Sequence, residues 1–191
     1  MHQSLFSIRA TYIALSLYCA FGIFVGISNF FLNTGHLIDF VVPVSSGVCI
    51  AGLLIYFHKD PKGRHLRTIK ALFFLNAYSF LIPAWYFTIG SALNGWVLVD
   101  EFPPISGVTL IATSVLVMMV PKSWLRYTMI VWFAICAPIV AYLITHSAEL
   151  DTARKKEMMV FFGPGGGLFL IVLSYQRDLI LRFEQIEERL L

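Results

Sequence analysis

Apolar residues in this chain neither alternate nor keep to one helical face; they run on without interruption. Six such runs fall at about residues 10 to 32, 37 to 57, 70 to 92, 104 to 120, 125 to 146 and 158 to 176. Their lengths suit α-helices crossing ~30 Å of hydrocarbon, whereas the strands of a membrane barrel would be ~10 residues long and alternate polar with apolar. The pattern predicts an all-α polytopic membrane protein with six transmembrane helices. Composition agrees: 58% of the 191 residues are hydrophobic and only 13% are charged, well beyond what one soluble core can absorb.

The connectors are short. "NTGH" (33 to 36) and "HKDPKGRH" (58 to 65) read as tight turns, the first using Asn and Gly, the second Asp-Pro and Gly. Consecutive spans should therefore be antiparallel neighbours. "DEFPP" precedes the short fourth run, and "ALNGWVLVDEF" is expected to return along the membrane interface with Trp96 as an anchor. The amino-terminal apolar run is too long for a signal-peptide core and lacks a small-residue cleavage pattern, so it should stay as the first span.

Charge sets the predicted orientation, because Lys and Arg collect in short cytoplasmic connectors. With the amino terminus inside, the cytoplasmic segments hold Arg9, Lys59, Lys62, Arg64, Arg67, Lys70, Lys122, Arg126, Arg177, Arg182 and Arg189, and the outer ones only Arg154, Lys155 and Lys156. Eleven against three places both termini in the cytoplasm. The net charge of +3 is thereby accounted for by topology, and no nucleic-acid partner is implied. Cys19, Cys49 and Cys136 sit inside apolar runs without metal-ligand or disulfide spacing, and read as packing residues.

Beyond residue 176 the pattern changes. Val172, Gln176, Leu179, Phe183, Ile186 and Leu190 recur at spacings of four and three, the stripe of a two-stranded coiled coil. The chain accordingly divides into a membrane domain, 1 to 176, and a cytoplasmic signalling helix, 177 to 191, with Leu179, Phe183, Ile186 and Leu190 as the expected seam of a homodimer. A surface-lying amphipathic helix is the alternative for the same residues.

The basic turn "HKDPKGRHLR", the aromatic third run, "ALNGWVLVDEFPP", the "PKSWLR" turn and the exit "YQRDLILRFEQIEERLL" together resemble the six-helix membrane region at the amino terminus of bacterial signalling enzymes. These are chiefly GGDEF-type diguanylate cyclases, and less often histidine kinases or class III nucleotide cyclases. The resemblance implies a sensor region whose effector lies on the same polypeptide. It implies no catalytic residue, since no GGDEF, kinase or cyclase core occurs in these 191 residues.

Candidate chemistry is sparse. No nucleophile with a base and no paired carboxylates stand out, so no enzyme and no cofactor is expected. His36 and His146 flank spans at one predicted depth and could ligate haem, although two histidines flanking spans are ordinary interfacial residues. His58 and His65 belong to the basic turn and are expected to face water or headgroups. Asp39 is the carboxylate nearest a span interior, and a membrane acid is a functional candidate because its burial is costly. The third run brings Asn76, Ser79 and Pro83 among aromatic residues, which suggests a pocket for a hydrophobic small molecule or a lipid, with Asn76, Ser79, Trp85, Tyr86, Trp96 and Asp39 as its expected contacts.

The last run contains "FFGPGGGLFL" (161 to 170). Gly163, Pro164, Gly165, Gly166 and Gly167 weaken the helix there, each glycine by up to ~1 kcal/mol relative to alanine. Two readings share these residues: close helix packing through the pair Gly163 and Gly167, or a hinge between a ligand site and the exit helix. The expected function is a membrane sensor that binds a hydrophobic ligand and signals through a dimeric exit helix. A small transporter or channel-like protein is the alternative.

Overall fold

The computed structural model describes residues 8–32, 36–96, 111–115, 117–120, 122–145, 156, 158, 160, 162 and 165–190. Five long helices carry it: α1 (Ile8–Leu32), α2 (Leu37–Lys59), α3 (Pro61–Asn94), α4 (Leu125–Thr145) and α5 (Gly166–Leu190). Residues 111–115 and 117–119 are also helical, and a 3-10 turn, Lys122–Trp124, leads into α4. Among the described residues four helices, α1 to α4, are long and apolar enough to cross a membrane. The chain divides into two compact units, one over Phe6–Tyr86 and the other over Phe87–Leu191 with Met1–Leu5.

In the first unit, α1 and α2 form the expected antiparallel pair: Tyr12 meets Phe57 at 4.8 Å between ring centroids, and the Asn29 amide donates to the Asp39 carbonyl at 3.0 Å. Glycines set their separation. A Cβ on Gly22 would stand 3.0 Å from the Pro43 carbonyl oxygen, one on Gly26 3.1 Å from the Phe40 carbonyl oxygen, and one on Gly47 3.1 Å from the Ile23 nitrogen. Among the described residues Gly22 and Gly26 in "GIFVG" form a close-packing pair on the α2 backbone, with Gly47 opposite. Without Cβ atoms, the backbones approach closely enough for dispersion to hold the pair where no hydrophobic effect operates between helices.

The second turn departs from expectation. In place of a connector over 58 to 65, Asp60 alone separates α2 from α3. Its N–H donates to the Phe57 carbonyl at 3.2 Å, its carbonyl accepts from Arg64 N–H at 3.1 Å, and its Oδ1 accepts from Gly63 N–H at 3.0 Å. Pro61 takes the first helical position, where its missing N–H costs nothing. One capping residue thus ends one helix and starts the next. As a result α3 runs for 34 residues, ~51 Å at 1.5 Å per residue, against ~30 Å of hydrocarbon. Its first turns, carrying Lys62, Arg64, Arg67 and Lys70, extend beyond the apolar part.

In the second unit, α3 ends at Gly95, whose φ of +69° and N–H bond to the Ser91 carbonyl at 2.9 Å make a left-handed cap. Trp96 turns back so that its indole covers Gly90. It is half-buried against its own helix. The inner face of α4 carries Thr128, Trp132, Ile135, Cys136, Ile139, Tyr142 and Leu143, all buried at helical spacing. The inner face of α5 carries Gly167, Leu170, Ser174 and Arg177, and a Cβ on Gly167 would lie 3.7 Å from Met129 and from Phe133, in ordinary contact with α4.

Candidate functional site

The apolar body of the first unit contains a polar seam between α2 and α3. Ser46 Oγ and Ser79 Oγ are 2.7 Å apart, and Ser79 Oγ also donates to the Leu75 carbonyl at 2.8 Å. Ser45 Oγ donates to the Val42 carbonyl at 3.0 Å and lies 3.2 Å from the Tyr78 hydroxyl. Asn76, three residues before Ser79 and on the same face, is 5% exposed, and its Oδ1 has no hydrogen-bond partner among the described residues. Ser46 follows the start of α2 by nine residues and Ser79 follows Lys70 by nine, which puts both ~14 Å into the membrane-crossing part. The seam is at mid-depth, where an amide oxygen without a donor costs ~1–3 kcal/mol.

Of the six expected ligand contacts, Asn76 and Ser79 belong to this seam. Asp39 lies in the first turn of α2, ~10 Å along the helix from Ser46, beside Asn29 and where its carboxylate complements the helix N-terminus. Trp85 and Tyr86 are 43% and 39% exposed, Tyr86 standing edge-on to His36 at 6.2 Å between ring centroids. Trp96 covers Gly90, as described above. Within the first unit, Asn76 and Ser79 lie in a buried hydroxyl and amide seam, and Trp85 and Tyr86 are partly exposed. Hydroxyls and an amide can hold a hydrogen-bonding group; they supply neither a base nor a metal ligand set. Among the described residues, no three His, Cys, Asp or Glu side chains converge as a metal site would require. His146, the other expected haem ligand, lies outside the described residues.

The basic end of the first unit also differs from expectation. His65 turns inward: its Nε2 is 2.8 Å from Thr11 Oγ1, and its ring packs 5.9 Å from that of Phe57. His65 faces inward because Asp60 starts α3 so early that residue 65 already lies on its inner face. His58 is exposed, with Nδ1 3.3 Å from the Tyr12 hydroxyl.

Among the described residues of the second unit, Arg177 is a buried charge. Counted above only as a cytoplasmic cation, it is 3% exposed, and its Nη1 donates to the carbonyls of Val117 at 2.9 Å and Val120 at 2.7 Å. Its Nη2 and Nε both reach Asp178 Oδ1, at 2.8 and 3.2 Å. The carbonyls at a helix C-terminus lack intrahelical donors and carry partial negative charge, so a guanidinium satisfies them on both counts. The first residue assigned to the exit helix is thus clamped to the end of the helical segment at residues 117–119, which comes before α4 in the chain.

No family model, curated protein or solved structure matches this chain.

The expected hinge and seam can be followed in part. Gly163 and Pro164 lie outside the described residues. Phe162 and Gly165 take part in wider, π-type turns before regular α-helix begins at Gly166. At Gly165 a Cβ would lie 2.7 Å from the Val160 carbonyl oxygen, so the turn needs glycine there. Gly167 has room for one. On the outer face of α5, Val172, Gln176, Leu179 and Ile186 are exposed, and the side chains of Phe183 and Leu190 lie outside the described residues.

Proposed function

We propose that this chain is a membrane signal-input domain, with six spans and both termini in the cytoplasm, that holds a small hydrophobic ligand and passes a change of packing along α5 to a cytoplasmic effector, of which a diguanylate cyclase is the leading candidate. The observation that carries this reading is Arg177. A helix that merely ended the protein in water has no need of a buried guanidinium at its membrane exit. A helix that must report on the bundle needs a fixed joint there, and the two charge-assisted hydrogen bonds from Arg177 to the Val117 and Val120 carbonyls support one, with Asp178 holding the guanidinium in place. The buried seam of Ser46, Asn76 and Ser79 supports the input side: an amide oxygen kept without a donor at mid-depth suits a ligand with a hydroxyl or N–H inside an apolar body. The exposed stripe through Leu179 and Ile186 supports pairing of two copies along α5, and the π-type turns around Gly165 give a place where helix direction can change.

The test is a fusion. A diguanylate cyclase catalytic domain that is inactive as a monomer is joined in frame after Leu191, and cyclic dinucleotide is measured in cells. Output is expected to depend on Arg177 and on the register of the junction, so Arg177→Ala and a one-residue insertion each alter it. Asn76→Leu should shift output while the protein still accumulates in membranes. Output equal to that of the free catalytic domain, indifferent to all three changes, would remove the sensor reading. Cysteines at 179 and 186 that fail to crosslink in membranes would remove the dimer.

A further inference from the structure

Every hydroxyl proton in the seam between α2 and α3 can be assigned. Ser79 Oγ–H goes to the Leu75 carbonyl at 2.8 Å, so the 2.7 Å contact between the two serines is donated by Ser46. Ser45 Oγ–H goes to the Val42 carbonyl at 3.0 Å, so the 3.2 Å contact with Tyr78 is donated by the tyrosine. A serine or tyrosine hydroxyl carries one proton, and all four are spent inside the seam. What stays open are acceptors, above all Asn76 Oδ1, enclosed and without a donor among the described residues. Around α3, Ser79 stands ~60° from Asn76 on one side and ~100° from Tyr78 on the other. A polar line therefore leads inward: Tyr78 is 37% exposed, Ser45 and Ser79 are half-buried, and Ser46 and Asn76 are 4% and 5% exposed.

We propose that this site takes an apolar alcohol or phenol whose hydroxyl donates to Asn76 Oδ1. The inference rests on the ligand site of the proposed input domain and gives its ligand a chemical class; it needs neither α5 nor an effector. A hydroxyl is selected because the seam has no hydroxyl proton left for Asn76, and the hydrocarbon at this depth offers no water in its place. A ketone, ester or ether brings acceptors alone: it could take an N–H from the Asn76 amide and would still leave Oδ1 unpaired. A charged donor finds no counter-ion in a seam of hydroxyls and one amide, at a depth where charge is costly. An amide ligand would add a carbonyl that the spent hydroxyls cannot serve. An asparagine kept only to join helices would have its oxygen paired across them; this one is buried and unpaired.

The whole chain, in phosphatidylcholine nanodiscs, is labelled with a diazirine analogue of 1-hexadecanol, and the peptide carrying Asn76 is quantified by mass spectrometry. Labelling there is expected, and 1-hexadecanol should compete about tenfold more strongly than its methyl ether, which keeps the chain and loses the proton. Asn76→Leu should abolish that preference and leave the melting temperature unchanged or raised, because it removes an unpaired buried acceptor. Tyr78→Phe, which takes away a proton already given to Ser45, should keep the preference. Dioleoylglycerol and a decyl-substituted hydroquinone separate the two sources of the hydroxyl. Competition by the first assigns it to a lipid and by the second to a phenol; competition by neither overturns the proposal. No labelling of that peptide, equal competition by 1-hexadecanol and its ether, or a preference that survives in Asn76→Leu overturns it as well. Each of these readouts is binding, so such a failure is distinct from that of a fusion whose output ignores Arg177 and the junction register.

Discussion

Replacing Arg177 by methionine keeps much of the side-chain volume and removes the guanidinium. Two carbonyls, of Val117 and Val120, then lose their donor, and Asp178, 19% exposed, loses its ion pair. An unpaired buried acceptor costs ~1–3 kcal/mol, and a hydrogen bond to a charged donor contributes ~1.5–3 kcal/mol. Relaxation of a segment end toward water recovers part of this, so the net loss is ~3 kcal/mol, a factor of about 100 in the opening equilibrium of α5 at that turn. Ser174 reads that opening directly, being 3% exposed and one turn earlier on the same face. In a background with Cys19, Cys49 and Cys136 replaced by alanine, Ser174→Cys should react with a maleimide about 100-fold faster when Arg177 is methionine. Arg177→Lys, which keeps the charge and loses the planar fork, should fall between. Tyr175→Cys, at a position 70% exposed, should react equally in all three. Rates at Ser174→Cys within threefold of one another would show that the clamp contributes nothing to holding α5, and the joint on which the signalling proposal rests would be gone.

Three further outcomes follow from the packing. Gly26→Leu and Gly47→Leu should each lower the thermal stability of the detergent-solubilised protein by ~1–3 kcal/mol through overpacking, whereas Gly52→Ala, whose Cβ would meet nothing within 4 Å, should be neutral or slightly stabilising. Gly165→Ala should be destabilising and Gly167→Ala tolerated, measured the same way, since only the former meets a backbone oxygen, that of Val160; equal effects would count against the π-type turn. Asp60→Ala should cost ~1 kcal/mol through loss of the cap and should raise amide exchange at Gly63 and Arg64 first, leaving the middle of α3 protected.

What the chain's pattern made legible were the elements whose cause is repetitive and local. Continuous apolar runs give α1, α2 and α4 nearly to the residue, because hydropathy over some twenty positions averages out local accidents. The start of α3 was misplaced because a charged, proline-containing stretch reads as a turn by composition, while Asp60 and Pro61 act as cap and first helical residue. The signal was present in the order Asp-Pro-x-Gly, with a side-chain acceptor three residues before a free N–H. The glycines illustrate a different loss. "GIFVG" in the first run and "GPGGG" in the last are equally visible as spacings, and only the partner backbone shows that Gly22 and Gly26 meet Pro43 and Phe40 while Gly167 meets side chains at ordinary distance.

The seam and the clamp were the least legible, because each depends on a pairing across sequence. Asn76 and Ser79 could be singled out as polar residues in an apolar helix, yet Ser46, the partner of Ser79 33 residues away, had no reason to be chosen over Ser45 until α2 and α3 were set in register. Arg177 met every expectation of a cation just outside a span, and its 60-residue reach to Val117 leaves no trace in local pattern. Its burial nevertheless changes how the last helix is understood. A charge placed for topology alone is held by water and headgroups, and can be moved by one position at little cost. A guanidinium enclosed by two carbonyls and a carboxylate fixes both the depth and the rotation of α5, since a shift of one residue would turn it by ~100° away from its acceptors. Under the signalling proposal a displacement of residues 117–120 is followed by α5, and the exposed face bearing Leu179 and Ile186 turns with it. That rigid relation between one helical segment's end and the orientation of the exit face is the physical content of the signalling proposal.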